Sequence, residues 1–324
     1  MDTGSHFVLG ISIAGLSNID PSVANDSILA QAVFLGAVIG SQAPDFDAIT
    51  KFIGGNPSYI RHHRGITHSF PAIIIWPTLI TLLLLLFFSV NFVTLWIWIF
   101  ISIVVHIILD LLNAYGTQAL KPISDKWIAL NILNIFDPFI FVIHIVAILF
   151  WGLQIYNPAT IFGFVYLLTV AYILLRVHAH LKVKNLLVRR YSKKGVITIL
   201  PTIIWSTYNV IEELPDKFEI SILRKKKLSL IDSKNKIIED RVIKASKQGH
   251  NIQAFLYFSS FAYPEYKKID LGYQVIWIDL RYRFNNHYPF IGVAILTDDL
   301  ELIGSYVGWV YSSNINFSKL PLDL

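Results

Sequence analysis

The sequence predicts an α-helical integral membrane domain, with about four transmembrane helices and short N-terminal helices, followed by a cytoplasmic antiparallel β-rich domain. Three observations carry that expectation. Of 324 residues, 54% are hydrophobic and 15% charged, and the mean hydropathy is +0.56, which does not fit a wholly soluble chain. The net charge of +5 is unevenly spread. Residues 1–175 hold 5 of the 27 Lys and Arg, with eight Asp and no Glu, whereas the rest hold 22 basic and 14 acidic residues. Finally, apolar runs of roughly 20 residues, the length that crosses a hydrocarbon core, occur only in the first half.

Four spans are expected, at 71–90, 92–112, 138–156 and 158–177. Pro71, Pro138 and Pro158 suit first-turn positions, where a missing N–H costs nothing. The connections at 89–91 and 157–158 allow only tight hairpins, so the longer loops share the other membrane side. Lys51, Arg61, Arg64, Lys121 and Lys126 all fall in those longer loops, and Lys182, Lys184, Arg189, Arg190, Lys193 and Lys194 follow the last span. The excess of positive charge on cytoplasmic loops therefore places these loops and both termini in the cytoplasm of a multi-pass inner (cell) membrane protein. Residues 7–16 and 28–38 are too short to span comfortably and are expected at the interface or partly inserted. No basic n-region marks a cleavable signal peptide.

Residues 178–194 are expected to form a basic exit helix and linker, dividing a membrane-embedded domain (1–177) from a β-rich one (195–324). There, short runs rich in Val, Ile and aromatic residues alternate with polar turns: 218–223, 228–231, 254–258, 273–282, 290–296 and 302–311, with Asn285-Asn286 as a turn. Its basic side suits anionic lipid head groups.

Zero cysteines exclude a disulfide framework, thiolate metal sites and a cysteine nucleophile. Metal chemistry would have to use His and carboxylates, and six of ten histidines lie in the charge-poor first 175 residues. His106 and Asp110, four apart near the cytoplasmic end of a span, share one helical face. Ionisable groups buried there are functional candidates by default, as ligands of a divalent ion or, more simply, as a hydrogen-bonded pair that locks the helix. The same topology brings His6, Asp45 and Asp47 of Pro44-Asp45-Phe46-Asp47, and His63 and His68 of His63-Arg64-Gly65-Ile66-Thr67-His68 to that membrane face. Extended after Pro44, Asp45 and Asp47 would point opposite ways, so both need not reach one ion. His144 stands alone in a span and reads as a packing or interhelical hydrogen-bond residue, and Asp137 as a helix cap.

In this order and spacing, Gly4-Ser5-His6, Pro44-Asp45-Phe46-Asp47, His63 through Ser69, and His106 through Asp110 followed by Tyr115-Gly116-Thr117 and Pro122 resemble the membrane-bound metal-dependent hydrolases. This is the LexA-regulated, prophage-encoded family of the YdjM/YfhP type. The likeness covers roughly residues 1–150, and the tail is similar to the C-terminal extension of the YfhP-type members. The family is distantly similar to the zinc-dependent phospholipase C and single-strand nuclease fold. That likeness implies His6, Asp45 or Asp47, His63 or His68, His106 and Asp110 as ligands. It departs at one point: that fold adds a His-x-x-x-Glu helix, and no Glu occurs here before Glu212, so one or two ions are expected.

The expected activity is metal-assisted hydrolysis of a phosphoester, lipid head groups included, at the cytoplasmic membrane surface with Zn²⁺ or Mn²⁺. Such ions bring a bound water's pKa toward neutrality. Asp47 or Asp45 is expected as proton acceptor, and Arg64 to pair with a phosphate oxygen or to anchor topology. Membrane lipid is the expected partner and nucleic acid is not. The alternative is a metal or lipid sensor without catalysis, with a basic partner-binding β domain.

Overall fold

A computed structural model describes residues 1–191, 195–283 and 286–311. Lys193, Lys194 and Asn285 lie outside the described residues. The chain forms two compact units: a helical one of Met1–Asp47, Arg64–Tyr191 and Ile199–Tyr208, and a second of Ala48–His63 with the described residues of 192–198 and 209–324.

The helical unit contains α1 (Thr3–Leu16), α2 (Pro21–Ala24), α3 (Ser27–Gln42), α5 (Ala72–Leu84), α6 (Phe92–Leu112), α7 (Pro138–Gly152) and α8 (Pro158–Arg190), while α4 (Thr50–His62) falls in the other unit. Their starts follow from short polar side chains that accept the first orphan N–H groups. Asp26 caps α3, Asn91 caps α6, and Asp137 and Asn157 cap α7 and α8 just ahead of Pro138 and Pro158. Among the described residues, three helical stretches are long and apolar enough to cross a membrane: Ser27–His62, Phe92–Leu112 and Pro158–Arg190. Ala72–Leu84 and Pro138–Gly152 are apolar but shorter, each ending earlier than its apolar run. The residues left over form the hairpin connections and set the next cap.

The N-terminal helices, expected at the interface or partly inserted, pack into the core of the bundle. α3 is a core helix: Ala32, Val33 and Ala37 are fully enclosed, in one cluster with Ile13 of α1, Ile80 and Leu84 of α5, and Ile99 and Ile103 of α6. Small residues allow this. A methyl group on Gly36 would meet Ile99 at 2.7 Å and one on Gly15 would meet Phe162 at 2.1 Å, so these helices approach closer than side chains normally permit. Nor is there a separate exit helix: α8 runs unbroken for 33 residues, about 50 Å at 1.5 Å per residue. Its apolar start and basic end are one rod.

In the second unit, two four-stranded antiparallel meanders follow one another. The first comprises β1 (Val196–Pro201), β2 (Thr207–Glu213), β3 (Lys217–Arg224) and β4 (Lys227–Asn235). The second comprises β5 (Ala262–Ile269), β6 (Gly272–Asp279), β7 (Phe290–Leu296) and β8 (Leu302–Trp309). The tip of the β1–β2 hairpin, Ile199–Tyr208, groups with the helical unit. Between the meanders lie α9 (Arg241–Ser246) and α10 (His250–Phe258). The strand expected at 254–258 is therefore helix: Asn251, Ile252, Ala254 and Phe255 are its buried residues, a one-sided helical spacing that the aromatic content of 254–258 obscures. α4, broken at Gly54 and Gly55, joins this unit through Ile60, packed on the Phe255 cluster, and through Asn56 donating to the Val307 carbonyl (3.1 Å).

Candidate metal centre

The centre is built on the C-terminal end of α6. Four residues separate His106 from Asp110, so both face the interior of the bundle, where both are buried. Opposite them, the 3₁₀ stretch Ala43–Ile49 brings Asp45, and the short turn Ile66–His68 brings His68. One ligand atom from each of Asp45, His68, His106 and Asp110 lies within 4.8 Å of the others.

Their separations have a specific shape. His68 Nε2 is 3.2 Å from His106 Nε2, 3.4 Å from Asp45 Oδ1 and 3.3 Å from Asp110 Oδ2. His106 Nε2 is 3.7 Å from Asp45 Oδ1 and 3.6 Å from Asp110 Oδ2. A tetrahedron of N and O ligands about 2.0–2.2 Å from a central ion has edges of roughly 3.3–3.6 Å. Five of the six edges therefore already stand close to that figure, and the sixth, between Asp45 and Asp110, is within 4.8 Å.

The imidazole protons can be placed from the neighbours. Nδ1 of His106 donates to the Ser41 carbonyl (2.6 Å), which can only accept. Thr67 donates its hydroxyl to Asp47 Oδ2 (2.7 Å), so its oxygen accepts from His68 Nδ1 (3.1 Å). Each ring thus carries its proton on Nδ1 and turns a bare Nε2 lone pair into the centre, the arrangement outer-shell partners impose on metal-binding histidines. Burial pulls the His68 imidazole down to about 3, so it stays neutral at physiological pH. Two lone pairs and two carboxylate oxygens converge, and a divalent cation satisfies all four.

The expected residues take distinct places. Asp45 and Asp47 do not diverge as an extended segment would have them: the stretch is 3₁₀, and a carboxylate oxygen of each lies within 4.8 Å of the other. Asp45 also reaches the centre, while Asp47 Oδ2 accepts the Arg64 backbone N–H (3.1 Å) and the Thr67 hydroxyl, bracing the loop. Asp110 divides its oxygens. Oδ2 faces the centre, and Oδ1 receives Arg64 Nη2 (3.0 Å), Asn113 Nδ2 (3.1 Å) and the Met1 amine, which also donates to His6 Nε2 (2.9 Å), itself 3.2 Å from Oδ1. His6, expected as a ligand, lies against Asp110 Oδ1, and its ring stacks on His106 at 3.6 Å between centroids. Arg64 does not present its guanidinium to a phosphate. It is 3% exposed and donates to Asn113 Oδ1 (3.1 Å), the Met1 carbonyl (3.1 Å) and Asp110, over the Tyr115 ring. A buried cation beside a carboxylate is held by that partner, which makes Arg64 a positioning residue. His63 ends α4 in the second unit, with its ring stacked on Tyr59 at 4.6 Å. Sequence reasoning missed Ser41, Thr67 and Asn113. Thr67 and Asn113 carried a faint signal, standing beside His68 and three residues after Asp110, but Ser41 acts through its backbone and carried none.

A family model described as YdjM inner membrane protein matches residues 1–183, a stretch that contains the whole centre. The chain belongs to the YdjM inner membrane protein family. A second model, the YfhP C-terminal alpha/beta plait domain, matches residues 241–320, the segment of α9, α10 and β5–β8. Along its length the chain is similar to the "Uncharacterized protein YfhP" of Bacillus subtilis, 38% identical over 99% of each chain. No solved structure matches. The membrane location, the helical and β-rich halves, and the likeness to the YdjM/YfhP type expected from the motifs thus stand.

Proposed function

We propose that this membrane protein is a metal-dependent hydrolase that cleaves a phosphoester, with membrane lipid head groups the leading substrate class, at the cytoplasmic face. The observation that carries the reading is the confrontation of the His68 and His106 lone pairs at 3.2 Å, closed by two carboxylate oxygens at tetrahedral spacing. A Zn²⁺ or Mn²⁺ ion held there would supply an activated water and Lewis acidity. Asp45 is the one of the four with solvent contact, its side chain 14% exposed where the others are sealed. A substrate oxygen therefore reaches the centre past Asp45, which is placed to take a proton from attacking water. Arg64 and Asn113 hold Asp110 in line, and Asp47 with Thr67 holds His68.

Protein purified in nanodiscs, loaded with Zn²⁺ or Mn²⁺, is expected to turn over lipid or soluble phosphoesters, and His106→Ala to abolish turnover. Metal-loaded protein no more active than His106→Ala would end the hydrolase reading. The enclosure of three of the four ligands favours a second reading, a structural or sensing metal without catalysis, and that result would select it. The orientation rests on the basic loops. A membrane-impermeant thiol reagent applied to intact cells should label Asn157→Cys in the short hairpin and spare Lys226→Cys, and the reverse pattern would invert the topology.

A further inference from the structure

The β1–β2 hairpin tip carries Ile203, Ile204 and Trp205 in succession, all exposed. Hairpin tips in water favour Gly, Asn, Asp and Ser, so three large apolar residues point to another solvent. Part of the tip's backbone is satisfied internally. Thr202 Oγ1 accepts from the Ile204 N–H (3.2 Å) and donates to the carbonyls of Ile204 (3.1 Å) and Thr207 (3.0 Å), and the Thr207 N–H donates to the Ile204 carbonyl (3.0 Å).

The tip belongs to the helical unit, where it walls a cleft of about 520 Å³. The other wall is the start of α7 and the basic-end half of the α8 span: Phe139, Leu168, Ala171, Tyr172 and Leu175. Trp205 meets Tyr172 edge-on at 5.2 Å, and Arg176 lies 5.0 Å from the Trp205 ring. Leu167, Leu174 and Leu175 on the same stretch of α8 are exposed, so the cleft opens onto the apolar flank that a bilayer would cover. Trp and Tyr concentrate at that depth, between acyl chains and head groups. Further along α8, Lys182, Lys184, Arg189 and Arg190 supply positive charge for phosphates.

We propose that this cleft is a phospholipid site: one acyl chain lies between the hairpin tip and α8, and Ile203, Ile204 and Trp205 are immersed in the membrane interface. The site is separate from the metal centre and does not depend on catalysis.

The chain has no cysteine, so single labels can be placed at will. A small environment-sensitive fluorophore is attached to Ile203→Cys, or to Lys226→Cys in the exposed β3–β4 turn as the control, in full-length protein in nanodiscs. Half of the discs contain phosphatidylcholine with a nitroxide high on its acyl chain. The label at position 203 is expected to be quenched severalfold more by the nitroxide lipid, and less by aqueous iodide, than the label at 226. Adding Ala171→Trp, which fills the cleft from an exposed position, is expected to cut the lipid quenching at 203 severalfold. Iodide quenching at 203 equal to that at 226 overturns the immersion of the tip. Lipid quenching that Ala171→Trp leaves unchanged overturns the bound chain and leaves only contact with bulk lipid. The unfolding midpoint in detergent, measured on each variant, controls for folding.

Discussion

His106 in α6 and His144 in α7 are equally hidden, 1% and 0% exposed, in equally apolar helices, yet their surroundings are opposite. His144 has one neutral partner. Thr169 spends its hydroxyl proton on the Val165 carbonyl (2.9 Å), so His144 Nε2 donates to the Thr169 oxygen (2.9 Å), joining α7 to α8. Among the described residues its Nδ1 makes no hydrogen bond and no carboxylate stands against it; the edge of Tyr166 does, at 4.9 Å. His106 instead has its proton fixed outward by Ser41 and its lone pair aimed at three further acceptors. Depth in an apolar span says that an imidazole must be satisfied. What distinguishes a clamp from a ligand is whether acceptors converge on it.

Substitutions can break that contrast, and the largest effect is expected at the centre itself. Asp110→Asn or His106→Ala should remove stoichiometric metal from protein purified without chelators, measured by elemental analysis. Retention of the ion by either would show that the four atoms do not hold it. Next come the bracing residues. Thr67→Val removes the acceptor that sets the His68 tautomer, and Asn113→Ala removes one of the donors on Asp110. Each is expected to weaken metal affinity by about 10–100-fold in chelator competition, the usual cost of losing an outer-shell partner. An unchanged affinity would mean that the ring orientations are set elsewhere.

Packing is the next test. Gly15→Ala drives a methyl group into the Phe162 ring, and overpacking of this kind typically costs about 1–3 kcal/mol, read as a lower unfolding midpoint in detergent. A neutral result would show that α1 and α8 have room to separate. The smallest effect is expected at the clamp. His144→Leu loses one interhelical hydrogen bond, about 0.6 kcal/mol on average in membrane proteins, and should leave metal content untouched. Loss of metal there would erase the distinction between the two histidines.

These contrasts also mark how far the chain could be read before its structure. Long apolar runs located α5 to α8, with a proline at or just before the start of α5, α7 and α8, because a long apolar stretch leaves a local imprint. α1 and α3 were harder. Their role in the core comes from Gly15 and Gly36 admitting Phe162 and Ile99, contacts made by residues far apart in sequence. In the β-rich half, five of the six expected strands fall on β3, β4, β6, β7 and β8, and 254–258 went astray because Phe255, Tyr257 and Phe258 suit either state.

The centre was legible to the extent that its ligands are scarce residue types in an apolar background. Asp45, His68, His106 and Asp110 stood out for that reason, whereas the divergence expected of Asp45 and Asp47 assumed an extended segment that the 3₁₀ turn replaces. The roles of Arg64 and His6 were not legible. One is ligand-like and the other suited to a phosphate, and only the fold shows that each lies against Asp110 Oδ1, behind the four converging atoms.

The central claim is that one divalent ion is held by Asp45, His68, His106 and Asp110. X-ray absorption on the metal-bound protein tests it most directly. The geometry predicts one ion per chain with two imidazole nitrogens and carboxylate oxygens at about 2.0–2.2 Å, lost in His106→Ala and intact in His144→Ala. A chain that binds neither zinc nor manganese, or whose metal spectrum is the same with and without His106, would contradict it.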